Sequence, residues 1–128
     1  MTDQRLREIV DEDPRYDSAA YRFVLEALTY TQQSVAESQQ HVSGEELLEG
    51  IKELGLQTFG PLAGMVFRAW GIEDTRDFGH IVFNLVEEGY MGEQEDDSIE
   101  DFDDGFDLDQ VFWEEYRDTP LVRGQKTN

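Results

Sequence analysis

No cysteine occurs in the 128 residues, which excludes disulfides and thiol chemistry. Lysine is nearly missing as well, with Lys52 and Lys126 the only two. His41 and His80 are the sole histidines, so a closed zinc site of the usual Cys and His composition cannot be assembled. No apolar run approaches the roughly 18 residues of a membrane-spanning helix. The opening Met1-Thr2-Asp3-Gln4-Arg5 lacks the apolar core of a signal peptide. A cytoplasmic chain making no membrane contact is the default expectation.

Acid is what the chain has in excess. Thirty Asp and Glu stand against ten Lys and Arg, giving a net charge of −20 and a pI near 4.1. Apolar residues still make up 38%, including eight Phe, five Tyr and two Trp, which argues against wholesale disorder. The length suits one domain with one core. An acid-rich, lysine-poor surface is expected of a salt-filled cytosol, where screening removes self-repulsion and carboxylates hold hydrated cations. Salt adaptation therefore competes with any reading of the acids as a binding site.

Three helical patterns separated by glycines occupy Val42 to Met91. Ser43 and Glu46 form a capping box ahead of Leu47, Leu48, Ile51 and Leu54, which keep helical spacing. Gly60-Pro61 ends that helix and opens the next, since proline suits a first helical position. Leu62, Met65, Val66, Ala69 and Trp70 then follow the i, i+3, i+4, i+7, i+8 rule. Gly71 stands where a left-handed C-terminal residue is wanted, with Ile72 folding back toward Phe67. Asp74 or Thr75 caps a third helix, with Asp77 in its first turn and Phe78, Ile81, Val82, Leu85 and Val86 as its apolar positions. Gly89 and Tyr90 repeat the same stop.

Upstream, Thr2 to Val10 predicts a short helix anchored by Leu6, Ile9 and Val10, broken at Pro14. A longer helix capped by Asp17 or Ser18 runs to about Ala36, burying Tyr21, Val24, Leu25, Leu28 and Val35, with Phe23 and Tyr30 nearer its edges. His41-Val42 suits one brief strand. Residues 87–118 hold fifteen of the thirty acids and a single base, Arg117. Stretches this acidic are usually solvated, yet Phe102, Phe106, Leu108, Val111, Phe112, Trp113 and Tyr116 run through them, so parts must dock on the core. Phe106, Leu108 and Phe112 share the parity of a half-buried strand, while Val111 to Tyr116 equally suits a helical turn. The domain spans 1–118, its acidic third 87–118, and 119–128 reads as a flexible tail.

Motifs for chemistry fail one by one. Gly60-Pro61-Leu62-Ala63-Gly64 lacks the Lys-Ser/Thr ending of a phosphate loop, so Gly64 and Gly79 are read as permitting close helix packing. Asp77, His80 and Asn84 share a helix face, where a carboxylate could orient the imidazole, but a catalytic or zinc role would need further convergent groups. Aligning Gly105 with the sixth position of a calcium loop puts Phe102 third and Val111 twelfth, so the ligand set is broken. Gly-x-Ser-x-Gly does not occur. No catalytic, cofactor or metal residue is assigned. The candidate interaction surface is Glu93, Asp96, Asp97, Asp101, Asp103 and Asp104.

A helix ending in Glu87-Glu88-Gly89-Tyr90-Met91, a polar turn and an alternating apolar return resemble the end of a winged-helix domain. That resemblance implies a mainly α fold with a small β-hairpin (α+β), in which Tyr90-Met91 pairs with Phe106 to Leu108 around an acidic turn, Gly92 to Gly105. The alternative is an all-α bundle with an acidic C-terminal flap. Across residues 20–112, the strings HVSGEELLEGI, FGPLAGMVFRAWGI, TRDFGHIVFNLVEEGYM and DSIEDF resemble a family of uncharacterised bacterial proteins, which implies one intact domain and no assigned activity. The expected function is a non-enzymatic protein-interaction module with an unidentified protein partner. The alternative is a winged-helix-type nucleic-acid-associated regulator. Apart from Arg76, the third helix offers Asp77, His80, Asn84, Glu87 and Glu88, so direct nucleic-acid binding is not expected.

Overall fold

The computed structural model describes residues 3–34, 42–90, 99–103 and 105–112. Five α-helices occur in them: α1 (Asp3–Glu12), α2 (Ser18–Ser34), α3 (Gly44–Phe59), α4 (Ala63–Ala69) and α5 (Thr75–Glu87), with 3-10 turns at Gly60–Leu62 and Ile99–Phe102. None of these helices is long and apolar enough to cross a membrane. The helices pack around one buried cluster, and α2 makes its most extensive contact with α3.

Helix boundaries follow the local chemistry. Asp17 caps α2 by accepting from the Ala19 amide at 2.9 Å. Ser43 accepts from the Glu46 amide and Glu46 accepts from the Ser43 amide, both at 3.0 Å, closing the capping box of α3. Gly71 and Gly89 take φ of +98° and +83°. Behind each, the next amide reaches back five residues, Ile72 to the Phe67 carbonyl and Tyr90 to the Leu85 carbonyl, both at 2.9 Å. Both ends are therefore Schellman motifs.

Two inward faces differ from the periodicity. On α2 the buried line is Ala20, Tyr21, Phe23, Val24, Ala27 and Thr31, while Leu25 and Leu28 are only half-buried. Phe23 sits centrally, its ring 5.3 Å from Phe67 and 5.7 Å from Trp70. Gly50 of α3 draws α2 toward it, since a Cβ there would meet the Thr31 hydroxyl. On α4 the inward residues are Ala63, Gly64 and Phe67, leaving Leu62 at 56% and Met65 at 66% exposure. Small residues won that face because it meets backbone: a Cβ on Gly64 would strike the Leu108 carbonyl.

The β-hairpin and the winged-helix fold are overturned. No strand occurs among the described residues, and the fold is mainly α. Tyr90 spends its amide on the stop of α5, and residues 105–108 are irregular. The end of the supposed turn is tied by its backbone to a side chain of α5, with Thr75 Oγ1 donating to the Phe102 carbonyl at 2.6 Å and accepting from the Gly105 amide at 3.0 Å. Asp107 then caps a helical turn at 110–112, taking the Gln110 amide at 2.8 Å. The inward parity nonetheless holds, with Leu108 and Phe112 buried and Phe106 half-buried. Val42 is buried without being a strand. Val35, His41, Met91, the turn 92–98, Trp113, Tyr116 and the tail 119–128 lie outside the described residues.

Residues 99–103 and 105–112 thus form a strap across α3, α4 and α5, anchored by Phe102, Leu108 and Phe112. Glycines seat it. Gly79 lies beneath the Phe102 ring and Gly55 beneath Phe112. The close packing expected at Gly64 and Gly79 is real, but the strap, not another helix, is what approaches them.

Candidate functional site

Two polar groupings stand out, one along the strap and one where the α1–α2 connection meets α5. Arg68 of α4 grips Asp109 with two bonds, Nε to Oδ1 at 3.1 Å and NH2 to Oδ2 at 2.7 Å. Arg76 of α5 places NH1 at 2.8 Å from each oxygen of Asp103. These pairs pin the strap at both ends of its run, and Asp109 raises the Arg68 pKa by hydrogen bonding and charge. A depression of about 320 Å³ opens beside Arg76, lined by Asp74, Thr75, Arg76, Asp103 and Phe106. Its one guanidinium is already bound to its own chain.

Of the acids read as an interaction surface, Glu93, Asp96, Asp97 and Asp104 lie outside the described residues. Asp101 and Asp103 are half-buried. Asp101 packs over the start of α3, its Cβ 3.0 Å from where a Gly44 side chain would begin. Asp103 faces Arg76. The described strap also turns Glu100, Asp107 and Asp109 to solvent. Sequence reasoning missed Arg68 and Thr75. With so few bases, every Arg on a helix near the acidic third was a pairing candidate, a signal available but unused. Thr75 left none, because a first-turn threonine reads as a cap.

The second grouping joins the α1–α2 connection to α5. Arg15 binds Asp13 through Nε at 2.8 Å and NH2 at 2.6 Å, and Asn84 donates to Asp13 at 2.9 Å and to the Tyr21 hydroxyl at 3.1 Å. The Arg15 hydrogen bonds hold the Asp13 carboxyl well below the usual range, against the opposing effect of burial, with Asn84 assisting. Tyr16 donates to Asp77 Oδ1 at 2.5 Å, and Asp77 Oδ2 accepts the Glu73 amide at 2.8 Å. Burial first, then the Asp77 carboxylate, pushes the Tyr16 phenol up. Burial also raises Tyr21, partly offset by the Asn84 bond.

No family model, curated protein or solved structure matches the chain. The geometry must therefore carry the reading alone. Asp77 turns to Tyr16 and the helix start rather than to His80, which is half-buried on α5. His41 lies outside the described residues. Among the described residues no three His, Asp or Glu side chains are placed to hold a metal ion. Each perturbed group where the α1–α2 connection meets α5 is held by a neighbour there, so the arrangement locks three chain segments together.

Proposed function

We propose that the protein is a non-enzymatic interaction module of a salt-rich cytoplasm, presenting the strap's outer face to a basic protein surface. One observation carries this reading. Phe102, Leu108 and Phe112 are buried along the strap's inner side, while Glu100, Asp107 and Asp109 stand on its outer side. An acidic segment anchored in this way is preorganised, so a partner need not order it on binding. Arg76, the cation a nucleic-acid reading would use, is bound to Asp103, and the remaining acid repels phosphate.

The test is paired capture in about 2 M KCl, a concentration at which exposed charges are screened beyond roughly 2 Å. Wild type is compared with Glu100→Gln combined with Asp107→Asn, and the retained protein is rebound in purified form. A partner held by wild type and released by the double variant supports the reading. Equal retention on both, or tight binding of duplex DNA, defeats it.

A further inference from the structure

The strap and the body beneath it carry charge of the same sign. Residues 1–90 hold seventeen acids and seven bases, and residues 99–112 hold six acids and no base. Burial of Phe102, Leu108 and Phe112 holds the strap down, and two charge effects oppose each other across the same seam. The pairs Arg68–Asp109 and Arg76–Asp103 draw the strap down, but their side chains are 36% to 64% exposed. Ion pairs this open contribute little in water. Repulsion between the strap and the net-negative body acts over the Debye length, roughly 3 Å at 1 M salt and 30 Å at 0.01 M. Dilution therefore strengthens the long-range repulsion far more than the two short-range contacts.

We infer that residues 99–103 and 105–112 are a salt-operated strap that closes when screened and lifts in dilute salt while α1 to α5 stay folded. The body is built to survive the parting. The backbone of helix α5 ends on its own carbonyls, with the Gly89 amide on Val86 and the Tyr90 amide on Leu85. Phe23, Phe59, Phe67 and Trp70 hold one another. The Thr31–Gly50 approach and the Tyr16–Asp77 and Asp13–Asn84 bonds also lie wholly within the body. Lifting uncovers a groove floored by Leu48, Gly55, Gly64, Phe67 and Gly79, shaped for aromatic rings.

Amide hydrogen exchange on the full chain tests this between about 2 M and about 0.02 M KCl, spanning short and long Debye lengths. Gly105, bonded to Thr75, and Val111, bonded to the Asp107 carbonyl, report the strap. Trp70 and Ile72 report the body. Exchange at Gly105 and Val111 accelerates about tenfold or more in dilute salt, with Trp70 and Ile72 unchanged, as sub-global opening requires. Fluorescence of an apolar dye rises in step. The double variant Glu100→Gln, Asp107→Asn, which keeps a side-chain acceptor at 107, shifts the opening to lower salt. Acceleration shared equally by strap and body overturns the inference, as does an unresponsive strap. Opening at high salt overturns it too, because the two arginine pairs would then be the dominant force.

Discussion

The hydroxyl of Thr75 donates to the Phe102 carbonyl and accepts from the Gly105 amide, so one oxygen on a residue 1% exposed satisfies the strap's backbone on both sides of residue 104. Thr75→Val keeps the shape and removes both bonds, leaving the carbonyl of a buried residue without its partner. A loss of about 2 kcal/mol is expected, seen as a Tm lower by roughly 5 to 10 °C; Thr75→Ser, which retains the hydroxyl, should lose much less. Tyr16 makes a different prediction, one that depends on pH. Its folded-state pKa is raised, so its contribution is fully present below the ordinary phenol value of about 10 and is lost as pH rises through the folded value. Tyr16→Phe should be less stable than wild type at pH 7, by about 1.5 to 3 kcal/mol for a hydrogen bond to a carboxylate. It should also lose less stability above about pH 10. Urea melts of both proteins from neutral to alkaline pH check this; parallel curves would mean that Tyr16 does not ionise in the unfolding transition.

Glycine divides the elements into those that pack through side chains and those that pack through backbone. Helix ends were legible because capping and stop signals are local: Ser43 with Glu46, Gly71 with Ile72 and Gly89 with Tyr90 all behave as their spacing predicts. The inward face of α4 was not legible. Leu62, in the turn before it, and Met65 follow helical periodicity and stay exposed, because the face that meets the strap is chosen by how closely two backbones can approach. The strand reading failed for a related reason: alternating Phe106, Leu108 and Phe112 reports which side is buried, not whether a second strand exists to pair with. Of the strap, only the inner, apolar side could be read, since which acid faces out depends on where Arg76 and the start of α3 lie. The glycine contacts give a differential test. Gly64→Ala should gain up to about 1 kcal/mol of helix propensity but force the Leu108 backbone away, at a typical overpacking cost of about 1 to 3 kcal/mol. Its damage should concentrate in strap amides. Gly50→Ala meets Thr31 between α2 and α3 instead and should lower protection throughout the body. Exchange maps that look alike for the two variants would deny that the strap is a separate cooperative unit.

At the scale of the whole molecule, net charge sets the terms on which the fold exists. Twenty uncompensated negative charges within a chain this size oppose compaction by on the order of 10 kcal/mol at 0.1 M salt, treating folded and unfolded chains as screened spheres. That is comparable with the entire stability of a small domain, about 5 to 15 kcal/mol. The attractive side is weak. Arg15–Asp13, Lys52–Glu49, Arg68–Asp109 and Arg76–Asp103 each have at least one side chain more than 45% exposed. Pairs of that kind contribute about 0 to 1 kcal/mol each. Screening therefore removes several kcal/mol of repulsion and forfeits less attraction, and the apolar core is indifferent or favoured as salt is added. Tm should climb by roughly 10 °C or more between about 0.1 and 2 M KCl, and climb furthest at the low end, where the Debye length changes most. The same scan in a neutral osmolyte separates screening from general exclusion at the protein surface, because an osmolyte strengthens burial without shielding charge. A Tm that is flat or falls with KCl would show that local pairs outweigh net charge, and the salt-adapted reading of the acidic surface would go with it.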